Sequence, residues 1–205
     1  DGENEDDDIG QIDEQGEYQG FPEMEGGEWA EYDSAGGRVK YEYLGTDTIE
    51  GTECFVIEFE MEFQGEKVIN QIWIDKQDNT TVLYVMKQGG LVMKMNSSEI
   101  SEESMDVAEG ASGETPDEYE SGTETYFETY TTPTGKEVKA AVFKEGTDEV
   151  WVSEEVPFGM VKQISQGDTT VALYDFSFSG ATRDISKEEA ESASTIPDFP
   201  NFPFQ

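Results

Sequence analysis

Between Phe55 and Phe63 every second residue is apolar: Phe55, Ile57, Phe59, Met61 and Phe63, while Glu58, Glu60 and Glu62 stand between the later ones. A period of two over nine residues fits an extended strand and no helix, because successive side chains of a strand point to opposite faces. The neighbouring segments repeat the signal. Val39, Tyr41 and Tyr43 oppose Lys40 and Glu42 before Gly45 closes the run, and Val68, Ile72 and Ile74 oppose Ile69 and Trp73. Residues 82–86 and 91–95 continue in the same style, and the runs are separated by Gln64-Gly65, the polar stretch 75–79 and Gly89-Gly90. Short turns of this chemistry between apolar runs predict a meander of long antiparallel strands. Further strands are expected at 123–132, 137–143, 150–153, 160–164 and 169–178. Ser186-Lys187-Glu188-Glu189 is a capping box, which predicts one short helix reaching about Ala193. The expected fold is mainly β: a curled antiparallel sheet or half-barrel with one short C-terminal helix and long acidic appendages.

The two faces of these strands carry different expectations. Glu58, Glu60 and Glu62 read as a solvated strand face, since no second carboxylate in an apolar setting marks them as a glycosidase-like pair. The aromatic faces read by default as core. Cys54, Val56, Ile69, Leu83 and Val85 nevertheless make several strands apolar on both faces. Such strands must be covered twice, by the leader, the tail, a ligand or another subunit. Ile72-Trp73-Ile74-Asp75 is also echoed by Val150-Trp151-Val152-Ser153, each followed by an apolar strand with a Lys-Gln pair, a weak internal repeat.

Charge divides the chain into parts. Residues 1–35 carry 14 Asp and Glu, residues 97–128 carry 11, and neither segment holds a Lys or Arg; the whole chain has 48 acids against 12 bases, a net charge of -36. The expected organisation is therefore an acidic Gly-rich leader over 1–37, an antiparallel β domain over 38–185 with an acidic insert at 97–122, and a helix with a Pro/Phe-rich arm over 186–205. In that arm Phe199, Phe202 and Phe204 lie among Pro197, Pro200 and Pro203. Prolines at that spacing forbid a central strand and favour an extended or polyproline conformation. The aromatic residues between them are expected to serve as an assembly arm.

This balance excludes several functions. Phosphate backbones and anionic lipid surfaces both require clustered Lys and Arg, so neither nucleic acid nor direct anionic-membrane binding is expected. Histidine is absent, which removes Ser-His-Asp, Cys-His and HExxH chemistry. The single cysteine, Cys54, lies in an apolar run and reads as a buried small hydrophobe. No stretch approaches a transmembrane helix. Hard cations such as Ca2+ take several oxygen ligands, and the candidates are Asp6, Asp7 and Asp8, Asp13 with Glu14, and Asp117 with Glu118. None matches the EF-hand loop, and diffuse counterion attraction is the favoured reading. Two N-x-[ST] sequons, at Asn79 and Asn96, fall in expected turns and lean extracellular. A chain starting at Asp1 without Met is expected of a signal-cleaved product and equally of a trimmed chain.

The pattern Tyr41-Glu42-Tyr43-Leu44-Gly45-Thr46, then residues 51–59, then Ile72-Trp73-Ile74-Asp75-Lys76 and again 150–161, resembles the lipoprotein-carrier superfamily of LolA- and LppX-type proteins. The resemblance covers roughly 38–178 without the acidic insert. It implies an open half-barrel around a helix-plugged apolar cavity that carries acylated or other hydrophobic ligands outside the cytoplasm. The family's lid helices have one counterpart here, the helix opening at Ser186.

The functional expectation is a non-catalytic secreted or cell-surface protein. As a structural subunit of an extracellular assembly, a filament or surface layer, it would self-associate through its terminal arms with cations neutralising the acid. The alternative is an extracytoplasmic carrier or binding protein for a lipid-like ligand.

Overall fold

A computed structural model of the chain describes residues 24–63, 65–96 and 124–195. Twelve strands and one helix follow in order: β1 (Trp29–Ser34), β2 (Gly37–Ile49), β3 (Thr52–Phe63), β4 (Glu66–Asp75), β5 (Thr81–Gln88), β6 (Leu91–Asn96), β7 (Glu124–Thr131), β8 (Glu137–Glu145), β9 (Asp148–Val152), β10 (Met160–Ser165), β11 (Asp168–Ser177), α1 (Lys187–Ser192) and β12 (Ser194–Thr195). They form one sheet in the order β12-β6-β5-β4-β3-β2-β1-β11-β10-β9-β8-β7. Every pairing is antiparallel except that of the two-residue β12, which lies parallel to β6. The expected meander is present, and it comes twice. β2 to β6 and β7 to β11 each run the same way along the sheet, with β1 inserted as the seam between them. The echoed Trp segments occupy β4 and β9, the third strand of each run.

The seam corrects one expectation. The leader was expected to extend to residue 37, yet Trp29–Ser34 is a sheet strand paired with β2 on one side and β11 on the other. Its alternation, with Ala30 and Tyr32 buried against partly exposed Trp29, Glu31 and Asp33, is the same period-two signal in only six residues. Gly26 and Gly45 make the entry possible. Gly26 sits at φ 116, and a Cβ there would stand 2.9 Å from the Gly45 Cα, so the backbone passes where only glycine fits.

Register pairing shows which side chains share a face. Trp29, Glu42, Glu58, Gln71, Val85 and Lys94 stand opposite one another from β1 to β6. The adjacent row is Ala30, Tyr41, Phe59, Asn70, Met86 and Met93. Consecutive residues of a strand alternate sides, so the two rows define opposite faces. The sheet's two cores lie on those opposite faces. On the Glu58 face, Cys54, Val56, Trp73 and Val85 are wholly buried beneath Ile185 and Ala190. On the Tyr41 face, Ala30, Tyr32 and Leu173 pack with Val142, Trp151 and Val161, and Val156 of the β9–β10 loop fills the middle.

The second core curls the sheet around itself. Tyr130 Oη of β7 donates to the carbonyl of Leu173 on β11 at 2.7 Å, although three strands lie between them in the sheet. Thr134 and Lys136, in the β7–β8 turn, reach Asp175 of β11 at 3.0 and 2.8 Å. Register shifts in β1, β2, β4 and β10 supply the extra twist that such coiling needs. The result is an open, curled antiparallel sheet with one short helix, as the strand periodicity predicts.

Candidate functional site

The segment 178–186 crosses the sheet on the Glu58 face and delivers the chain to α1. Its attachment is polar. The Ala181 N–H donates to the Gly27 carbonyl at 2.8 Å and the Thr182 N–H to Glu42 Oε1 at 2.9 Å. The Asp184 N–H meets Glu58 Oε2 and the Ile185 N–H meets Glu58 Oε1, both at 2.9 Å. Gln71 completes the arrangement, its Nε2 donating to Glu58 Oε1 and to the Ile185 carbonyl at 2.8 Å, while its Oε1 accepts from Trp73 Nε1 at 2.7 Å. A strap without strand partners must satisfy its backbone groups otherwise, and two glutamates and a glutamine do so here.

This overturns the expected solvated face of β3. Glu58 is 1% exposed, whereas Glu60 and Glu62 of the same face remain at the surface. Burial pushes the Glu58 carboxyl above its ordinary range, against the Asp184, Ile185 and Gln71 donors that pull it down. A raised carboxyl inside a fold is a candidate acid by rule. Geometry assigns this one to structure, because both oxygens are engaged by the strap and by Gln71 and a general acid must reach a substrate proton. The helix that follows forms the predicted capping box: Ser186 Oγ accepts from the Glu189 N–H, and Glu189 Oε2 accepts from the Ser186 N–H. That contact, with the Lys87 ammonium at 2.9 Å, holds the Glu189 carboxyl down to about 2.

Beside the strap, the same face opens into a groove of about 730 Å³ lined by Glu31, Arg38, Lys40, Glu60, Glu62 and Lys67. Its charges compensate one another: Lys67 lies 2.7 Å from Glu60 and 3.1 Å from Asp184, and Arg38 lies 2.9 Å from Asp33.

The opposite face of β2 to β6 is apolar and differently exposed. Phe55, Ile57, Phe59, Met61, Ile72, Ile74, Tyr84, Met86, Met93 and Met95 are half-buried, with Tyr43, Val68 and Asn70 buried among them, whereas the strap side buries Cys54, Val56, Glu58, Ile69, Gln71, Trp73, Leu83 and Val85. Tyr43 and Phe55, and Tyr41 and Phe59, pack ring to ring across strands. The aromatic face read as core is thus the less covered one; among the described residues the strap and α1 cover only its reverse. A third feature is the edge at β7. All eight of its residues pair with β8 without a register shift, its other side has no strand partner among the described residues, and Phe127 is 37% exposed.

The sequence candidates are scattered. Asn79 is exposed in the β4–β5 turn at φ 60, and Asn96 is the last residue of β6. Asp6, Asp7, Asp8, Asp13, Glu14, Asp117, Glu118, Phe199, Phe202 and Phe204 lie outside the described residues. Among the described residues no group of three or more carboxylates or thiols is placed to hold a metal. Cys54 is free and buried, as expected. Comparison with protein-family models, curated proteins and solved structures finds no match.

Proposed function

We propose that the protein is a non-catalytic subunit of an extracellular or cell-surface assembly, built by pairing the open edge of its sheet. The observation that carries this reading is β7: an eight-residue edge strand in unbroken register, bearing an exposed Phe127. An edge of that length offers a row of backbone donors and acceptors to another strand unless it is blunted. The opposite edge differs, because β6 is capped by β12 and the chain then enters a proline-rich stretch. A net charge of -36 makes copies repel, so association depends on salt or on cations, Ca2+ among them, gathered by the acidic segments. The exposed Asn79 suits an extracellular setting.

The test is molar mass by light scattering over protein concentration, with and without Ca2+. Wild type is expected to associate as charge is screened, and Phe127→Lys to stay monomeric, since lysine on an edge opposes strand addition. A wild-type monomer under every condition overturns the proposal. The half-buried apolar face of β2 to β6 favours a second reading, carriage of a hydrophobic ligand, which requires lipid to be recovered by mass spectrometry from native protein.

A further inference from the structure

We infer that β7 pairs with β7 of a second copy about a two-fold axis through Phe127, joining two sheets into one and closing that contact at a dimer. The inference rests on the edge pairing proposed above and fixes its partner, symmetry and register.

The backbone decides which residues of β7 can pair outward. One residue beyond the register pair of Thr131 with Glu137, the Thr132 N–H donates to the Lys136 carbonyl at 2.8 Å. On β8, Lys139 turns the other way: its N–H meets Glu155 Oε2 at 3.1 Å and its carbonyl accepts from Ser153 Oγ at 2.8 Å, just after β9. Both backbone groups of a strand residue point to one side, and the side alternates along the chain. Thr129 is the register partner of Lys139. Thr129, and with it Thr125, Phe127 and Thr131, therefore offers its N–H and C=O away from β8.

Charge then selects the register. In an antiparallel sheet continued through a two-fold axis normal to it, one residue must stand opposite its own copy. Two choices use nearly all of β7. With the axis on Phe127 every residue but Thr131 is paired, and with the axis on Glu128 every residue but Glu124. The second sets Glu128 against Glu128 of the partner copy, and like charges directly opposite destabilise a sheet. The first sets Glu124 against Tyr130 and Glu128 against Tyr126 on the core-facing side, and Phe127 against itself between two Thr125–Thr129 pairs on the outer side. Aromatic and threonine pairs are favourable cross-strand neighbours. Moving the axis to Tyr126 opposes Glu124 and Glu128, and moving it to Thr129 brings Pro133 into the ladder opposite Thr125. With the axis on Phe127 the glutamates meet only on the diagonal, at about 7–8 Å, where physiological salt screens them. The glutamates that blunt this edge against other registers leave this one open. Because the pairing consumes the same edge on both copies, it stops at two, and a larger assembly draws on another surface.

Disulfide trapping, at a salt concentration where light scattering shows the dimer, tests the register; Cys54 is buried and stays in place. Opposed Cα atoms of a hydrogen-bonded pair lie about 5.5 Å apart, within reach of a disulfide. Phe127→Cys alone is expected to cross-link to twice the chain mass. Thr125→Cys and Thr129→Cys, which keep Phe127, are expected to cross-link when mixed and not singly, since each lies about 14 Å from its own copy. Cross-linking of Thr129→Cys alone, or of none of these in a protein that dimerises, overturns the register and leaves edge assembly standing. A monomer under every condition removes both.

Discussion

Replacing Glu58 by alanine tests whether the strap is held by its buried carboxylate. The side chain is 1% exposed and accepts from the backbone N–H groups of Asp184 and Ile185 and from Gln71 Nε2. Alanine leaves two buried backbone donors unmet, at about 1–3 kcal/mol each, while Gln71 Nε2 keeps the Ile185 carbonyl. Relief of the carboxylate's own desolvation offsets part of that loss, so the expected destabilisation is about 3 kcal/mol. Glu58→Gln is milder. Its carboxamide keeps one acceptor but turns an NH2 group toward one of the strap's N–H donors, a loss of about 1–2 kcal/mol. Glu60→Ala, two residues along the same face, removes only a surface pair with Lys67 and is expected to cost less than about 1 kcal/mol. Urea unfolding followed by tryptophan fluorescence reads all three, because Trp73 lies within the clamp. Equal destabilisation by Glu58→Ala and Glu60→Ala would refute the reasoning.

Two other outcomes follow from the same geometry. Burial raises the Glu58 carboxyl from 4.5, so its stabilising contribution is full below that pH and is lost as pH rises through the folded value; Glu189, held near 2, behaves oppositely. Wild type is therefore expected to gain stability over Glu58→Gln as pH falls from 7 toward 4.5, and to lose its advantage over Glu189→Gln below that, both measured by urea midpoints. Gly26→Ala and Gly27→Ala share a strained positive φ, 116 and 106, which costs about 1–2 kcal/mol by itself; Gly26 adds a Cβ 2.9 Å from the Gly45 backbone, whereas Gly27 meets no atom within 4 Å, so thermal unfolding should show the larger loss for Gly26→Ala.

The strands after residue 37 were legible because period two persists in each and every turn between them carries Gly, Asn or Asp. β1 was not, since Trp29–Ser34 offers only six residues of alternation inside a segment whose overall composition is acidic and glycine-rich. Which face would be covered was misread for a different reason. Glutamate on a strand normally faces water, and nothing local to β3 says that Asp184 and Ile185, more than 120 residues later, bring the donors that make Glu58 burial tolerable. The signal that was available is indirect: Cys54 and Val56 share the face of Glu58, and Gln71 with Trp73 stands opposite on β4. A glutamate flanked by apolar residues and facing a carboxamide is better read as a clamp than as a solvated face.

The same alternation ties the two faces of the sheet to each other. Trp29 and Glu42 face the strap, while Ala30 and Tyr41, next in sequence to each, face the curled half; β1 and β2 thus set consecutive residues against the strap on one face and in the curled core on the other. A strand cannot rotate one side chain out of a core without turning its neighbour out of the other. Loss of the strap on one face therefore loosens β2 and, through Tyr41 and its packing on Tyr32 and Phe158, the core on the opposite face. The free energy invested at Glu58 is consequently felt beyond the five strands it lies among. The sheet as a whole, including the edge at β7, depends on a strap held by buried carboxylates in a chain where carboxylates are abundant.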